Sequence, residues 1–423
     1  MKQFFRSSGA ASSRKLSVFC AASLVFIFIS AVAVFSGQRG MESFVFRDCE
    51  DFFADTFNIY VYLDSQNIYT GDAPFTRGYY GYGIPRFYRN NPPMVFLHFD
   101  ILRRLLRVRN MHLFLAVYVS LLLGAAFFYL LYRKLRGSEA WKVLFCGSIL
   151  LSGVFIGSLE RGNIIMLAVC YVTFYLFAWK SENPVLRELA LIALAMATAL
   201  KVYPGILGVL LVFDRRWSEC ARLFVYGVLL SFAPFLWFPG GFELIPDLLF
   251  NVLSPSSLVQ PPCLLFSAWI PVLGKILPEA TAQEIGNGLY SLGILIGILS
   301  CVAAFFDRRK WRRTTLIVLA LLLIPKIGGA YNLLYLIPCL VLFVNDPEEK
   351  GKDLWTAFLF ALVLSPPLLP PSCFGIPIPP LNELSTDLLV ITLLRTSAGD
   401  SFRKRGHDRT HENIRAISGA AVS

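Results

Sequence analysis

The chain has 423 residues, of which 56% are hydrophobic and 16% charged, and its mean hydropathy is +0.60. Soluble domains carry about 25% charged and 45–50% apolar residues, so a water-soluble fold is excluded, as are disordered, collagen-like and small disulfide-rich architectures. The net charge of +11, from 39 Lys+Arg against 28 Asp+Glu, reads as basic cytoplasmic loops of a membrane protein rather than as a nucleic-acid footprint.

A spanning helix needs about 20 mostly apolar residues. The first such run is Leu16–Ser36, preceded by Lys2, Arg6, Arg14 and Lys15. Ala31-Val-Ala33 resembles a signal-peptide cleavage site, but the run exceeds the roughly 7–15 residues of a signal core. An uncleaved anchor is therefore the favoured reading over a cleaved signal. The basic start places the N-terminus inside and the next segment, residues 37–111, outside as a large first extracytoplasmic loop. That loop holds the strings EDFFAD and GYYGYGIPRFYRNNPPM. A polar stretch this long in a compact protein points to function. Within it, Pro93–Arg107 has apolar residues at helical spacing and Arg103, Arg104 and Arg107 on another face, the pattern of a helix lying in the interface. His98 and His112 are isolated and lack metal-ligand spacing.

Further apolar runs follow: Leu113–Tyr132, Val143–Leu159, Ile164–Trp179, Leu189–Phe213, Leu223–Phe238, Leu289–Phe306, Leu316–Ile324, Tyr331–Val344, Trp355–Leu369 and Leu384–Leu394. Basic clusters recur between them, at Arg133-Lys134-x-Arg136, at Arg215-Arg216, at Arg308–Arg313, and in a tail over 395–423. All of these lie inside only if Leu189–Phe213 is broken at Lys201-Val-Tyr203-Pro204, where proline removes a backbone donor. The expected fold is an all-α polytopic bundle of about 10–12 transmembrane helices forming a single integral membrane domain over 1–423, with both termini cytoplasmic. The absence of any Asn-x-Ser/Thr site suits a bacterial inner membrane.

Under this topology four polar groups converge on the outer side. Charges at membrane depth are costly and mark functional sites by default. Asp48, Glu50, Asp51 and Asp55 flank the first crossing, and a carboxylate there can act as general base on a hydroxyl. In Glu160-Arg161-Gly162-Asn163, Arg161 can clamp a phosphate bidentately, Glu160 can orient it, and Gly162 allows close backbone approach. Lys201 interrupts the apolar run LALIALAMATALKVYPGILGVLLVF with a compact cation suited to a phosphate oxygen. Tyr203 precedes the proline of that break. Lys326, Tyr331 and Asn332 repeat the pattern more weakly. Solvated loop acids, a tight turn with a surface ion pair, and snorkelling lysines are the competing structural readings.

These landmarks occur in an order that resembles the polyprenyl-phosphate-mannose-type glycosyltransferases of family 87, in the GT-C class. The matching residues are Asp51-Phe52-Phe53 after the first crossing, Asn91-Pro92-Pro93 where the family usually has Tyr-Pro-Pro, Arg161-Gly162-Asn163 opening one helix, and Lys201-Val-Tyr203-Pro204 with Arg215-Arg216 after it. The set spans about Asp51–Trp217. The resemblance implies sugar transfer from a lipid-phosphate carrier to a lipid or glycan acceptor on the outer face, with Asp51 as the base. The extra acids leave Asp51, Asp55 and Asp48 open for that role. Arg161, Lys201 and Tyr203 would bind the donor phosphate, supported by Glu160 and Asn163. A phosphate leaving group needs cations rather than a general acid. No organic cofactor is expected, no phosphate loop or dinucleotide fingerprint occurs, and a divalent metal held by the acids around Asp51 stays open. The expected partners are the polyprenyl-phosphate donor, the acceptor and membrane lipids, without nucleic acid. A flippase or transporter with paired broken helices, a polysaccharide polymerase or ligase, and a non-catalytic subunit are the alternatives.

Overall fold

The computed structural model describes residues 14–36, 53–65, 67–70, 90–106, 114, 116–253, 270–325, 330–348, 351–366, 368, 372–373, 376–377 and 381–420. The protein is an all-α polytopic membrane protein. Its helices are α1 (Arg14–Phe35), α2 (Ala54–Val61), α3 (Pro93–Leu106), α4 (Gly124–Lys134), α5 (Glu139–Leu150), α6 (Gly153–Arg161), α7 (Ile165–Ala178), α8 (Pro184–Leu200) and α9 (Val209–Phe213). They continue with α10 (Trp217–Phe232), α11 (Ile245–Leu253), α12 (Ile270–Ile276), α13 (Glu279–Phe306), α14 (Lys310–Leu323), α15 (Leu336–Val344), α16 (Gly351–Val363) and α17 (Leu381–Ala420). Two two-residue strands, Ser372–Cys373 and Ile376–Pro377, pair antiparallel beside them.

Among the described residues three helices are long and apolar enough to cross a bilayer: Arg14–Phe35, Trp217–Trp237 and Glu284–Phe306. A fourth span arises if α5 and α6, bent by 53° at their junction, count as one. This count is below the 10–12 expected from the apolar runs because two runs are divided and others, such as Ile165–Ala178 and Tyr331–Val344, form helices shorter than a full span. Val143–Leu159 is cut between Leu150 and Gly153, where Ser152 caps α6 by accepting from the Phe155 N–H at 3.2 Å. Leu189–Phe213 is cut after Leu200. There α8 ends, a 3-10 turn runs over Tyr203–Gly208, and α9 completes the run. The start of α8 is set by Asn183, whose side chain accepts from the N–H groups of Val185 and Leu186, with Pro184 in the first helical position.

The bundle has a layered apolar gradient. α7 and α14 are almost wholly buried, and α15 nearly so. α1, α10 and α13 instead carry outward-facing Phe28, Phe224 and Leu295, the pattern of helices with one face on lipid. α1 belongs to the packed structure: Phe19 meets Phe145 of α5 at 5.3 Å and Phe26 meets Phe358 of α16 at 5.8 Å. Lys15, fully buried, donates to the carbonyls of Asp346 and Glu348 at 2.6 and 3.0 Å.

The cluster Arg308–Arg313 is less of a free positive surface than its sequence suggests. Arg309 pairs with Asp346 and Asp353, Arg312 with Asp307 and Asp400, and Arg313 with Asp214. Buried charges are tolerated when paired in this way. The 395–423 segment begins within α17, which continues without a break from Leu381 to Ala420.

The helix α3 is fastened by Asp100. That carboxylate accepts from Arg103 at 2.9 Å, Arg104 at 2.8 Å and the Trp237 indole at 2.7 Å. α11 holds the segment around Asn67 and Tyr69, with Asn67 donating to Asp247 and Asn251 to the Tyr69 carbonyl, both at 3.1 Å.

Candidate active site

The site is built where α2 docks on the end of α6. α6 terminates at Gly162, whose φ of +57° is the left-handed geometry that glycine adopts without strain. A Cβ at Gly162 would lie 2.6 Å from Phe53 Cδ1 and 3.1 Å from Phe53 Cα, so glycine is also what lets α2 approach. Phe53, itself left-handed at φ 59°, precedes α2 and donates its N–H to the Glu160 carbonyl at 2.7 Å. The Thr56 hydroxyl donates to the Gly162 carbonyl. These backbone contacts fix the first turn of α2 against the Arg161–Asn163 corner.

Asp55 is the side chain so positioned. Its Oδ1 accepts from Arg161 Nη2 at 2.5 Å and its Oδ2 from Asn163 Nδ2 at 2.6 Å. Asn163 is oriented in turn, because its Oδ1 accepts from the Ile165 N–H at 2.9 Å at the start of α7. Burial pushes the Asp55 carboxyl above its ordinary value, while the Asn163 amide and the Lys201 charge act the other way. The carboxylate keeps capacity for a substrate hydroxyl, since its two oxygens offer about four lone-pair sites.

Lys201 closes α8 in an extended conformation. It is half-buried and interacts electrostatically with Asp55, without a direct ion pair among the described residues. Tyr203 ties this break to the second irregular segment, donating its hydroxyl to Asn332 Oδ1 at 2.9 Å and meeting Tyr335 edge-on at 6.0 Å. Asn332 is buried in the 3-10 turn Ala330–Tyr335.

Of the residues singled out in the sequence, Asp55, Arg161 and Asn163 are therefore in contact, Lys201 is within electrostatic reach, and Tyr203 bonds to Asn332. Glu160 is buried, and its carbonyl receives the Phe53 N–H. Asp48, Glu50, Asp51 and Lys326 lie outside the described residues. Phe53 entered the sequence reading only as part of the string Asp51-Phe52-Phe53, and Thr56 was not singled out. The only hint was their place in EDFFADT next to the acids. Among the described residues no group of three His, Cys, Asp or Glu side chains is placed to hold a metal ion.

A model of glycosyltransferase family 87 matches residues 90–366, well over half of the chain. The chain belongs to glycosyltransferase family 87. The matched stretch of this glycosyltransferase includes Arg161, Asn163, Lys201, Tyr203 and Asn332, while Asp55 precedes it. No curated protein and no solved structure gives a match.

Proposed function

We propose that this family 87 glycosyltransferase is of the GT-C type. In this reading it moves a sugar, mannose or another hexose, from a polyprenyl-phosphate carrier to a lipid or glycan acceptor on the extracytoplasmic face of a bacterial inner membrane, with both termini cytoplasmic. The observation that carries the reading is the constellation itself: a buried carboxylate, Asp55, held by Arg161 and Asn163, with the cation of Lys201 nearby at a broken helix. Helices break in membranes where they line protein-enclosed or water-filled sites.

The chemistry assigns one role to each group. Asp55 takes the proton of the acceptor hydroxyl. The acceptor oxygen bonds to the anomeric carbon as the bond from that carbon to the phosphate oxygen breaks. The electron pair leaves on the polyprenyl phosphate, whose charge rises by one unit. Lys201 and Arg161 stabilise that charge, and the five guanidinium donors of Arg161 allow it to hold Asp55 and a phosphate together. Asn163 and Tyr203 keep the carboxylate and the break in place. Asp51 is the rival for the base.

The test is transfer by the purified protein in vesicles. Radiolabelled polyprenyl-phosphate mannose should yield labelled acceptor without added nucleotide sugar. Transfer from nucleotide sugars alone would overturn the donor assignment.

A further inference from the structure

At the other ends of α7 and α8 lies a second charged constellation with no part in that reaction. α7 has 14 residues, so at about 1.5 Å per residue its Trp179 end is about 20 Å from the Asn163 corner. There α9, α13 and α14 meet: Phe213 contacts Phe305 at 5.2 Å, and Asp214 accepts from Arg313 at 3.0 Å and pairs with Lys180. Arg216 donates to the Trp179 carbonyl at 2.7 Å and pairs with Glu219 at 2.6 Å, which Arg187 also reaches at 3.3 Å. Lys180, Arg187, Arg216 and Arg313 share two carboxylates, Asp214 and Glu219, and Arg215 adds a further cation, so these residues together carry a cationic excess.

Arg215 is the informative member. It is exposed and makes no side-chain hydrogen bond or ion pair among the described residues. Its φ of 56° is the left-handed geometry of a helix C-cap, in which the Arg215 N–H donates to the Val212 carbonyl at 3.0 Å and the Arg216 N–H to the Leu211 carbonyl at 2.9 Å, so the end of α9 fixes where Arg215 leaves the backbone. Trp217, two residues on, and Phe305 and Phe306, linked to this corner through the Phe213–Phe305 contact, are more than half exposed. Cations set against exposed aromatics are the two chemistries of a lipid, a phosphate and an acyl chain. A zwitterionic headgroup brings its own cation, so the excess selects an anionic one.

We propose that this bay binds the phosphate of an anionic glycerophospholipid of the cytoplasmic leaflet through Arg215 and Lys180, with its acyl chain across Trp217, Phe305 and Phe306. The test uses the full-length protein, exchanged into mixed phosphatidylglycerol and phosphatidylcholine and read by native mass spectrometry. The wild type should retain phosphatidylglycerol preferentially. Arg215→Gly, which relieves the backbone strain, should weaken retention about fivefold without lowering Tm, and Arg215→Lys should keep it. Inorganic phosphate, added in large excess over the lipid, should leave the lipid bound. Equal retention of both lipids by the wild type, unchanged retention by Arg215→Gly, or displacement by phosphate alone would each overturn the proposal.

Discussion

Gly162→Ala tests whether the docking of α2 on α6 sets the activity. An alanine at φ +57° costs about 1–2 kcal/mol for its left-handed backbone. Its Cβ would also sit 2.6 Å from Phe53 Cδ1, against an optimal carbon–carbon separation of about 3.5–4.0 Å. Phe53 is 2% exposed and cannot swing into open space. Relief therefore requires α2 to lift by about 1 Å, which stretches the Phe53 N–H bond to Glu160 and the Thr56 bond to Gly162, each worth about 0.5–1.5 kcal/mol. Asp55 moves with the helix. A misplacement of about 1 Å in a reacting group costs about a hundredfold in rate. Initial rates of sugar transfer in vesicles, with Tm in the same detergent, give the comparison. Gly157→Ala is the control, because nothing lies within 4 Å of a Cβ there. Gly162→Ala activity within about threefold of wild type would refute the idea that this contact positions the carboxylate.

Other outcomes follow from the same contacts. Asp55 titrates above its ordinary value of 3.8 and must be ionised to act, so activity falls as pH drops through that raised value. Asn163→Ala removes a hydrogen bond to the ionised form and should move the acid limb of kcat/KM to higher pH; an unmoved limb would separate Asp55 from the rate. Asn332→Leu removes the acceptor of Tyr203 and should raise KM for the lipid-phosphate donor more than it lowers kcat, as measured by donor titration. Lys15→Met removes the buried charged donor of the Asp346 and Glu348 carbonyls and should cost about 1.5–3 kcal/mol, seen as a lowered Tm. Intact-mass measurement of the purified protein should find α1 retained, since Phe19 and Phe26 are part of the core; a mass beginning after Ala33 would contradict this.

The break after Leu200 was legible because a lysine and a proline interrupt a continuous apolar run, and both have local physical consequences. The bend between α5 and α6 was not, because Leu150-Leu151-Ser152-Gly153 differs little from its apolar surroundings. Within the site, the sequence marked Arg161, Asn163 and Lys201 as anomalous polar residues. It gave no means of choosing among the acids of EDFFAD, since the choice depends on contacts across 106 residues of chain, between Asp55 and Arg161. The basic cluster Arg308–Arg313 was legible as charge but not as a bracket, because its partners Asp346, Asp353 and Asp400 lie far along the chain.

The central claim is that Asp55, clamped by Arg161 and Asn163, is the base for sugar transfer. Asp55→Asn keeps the shape of the side chain and removes the proton acceptor. Its rate in vesicles, with polyprenyl-phosphate mannose as donor and Asp51→Asn measured alongside, decides the matter. A loss of at least about a hundredfold is expected for Asp55→Asn with Tm retained, and a smaller loss for Asp51→Asn. Near-wild-type transfer by Asp55→Asn, with transfer abolished by Asp51→Asn, would contradict it.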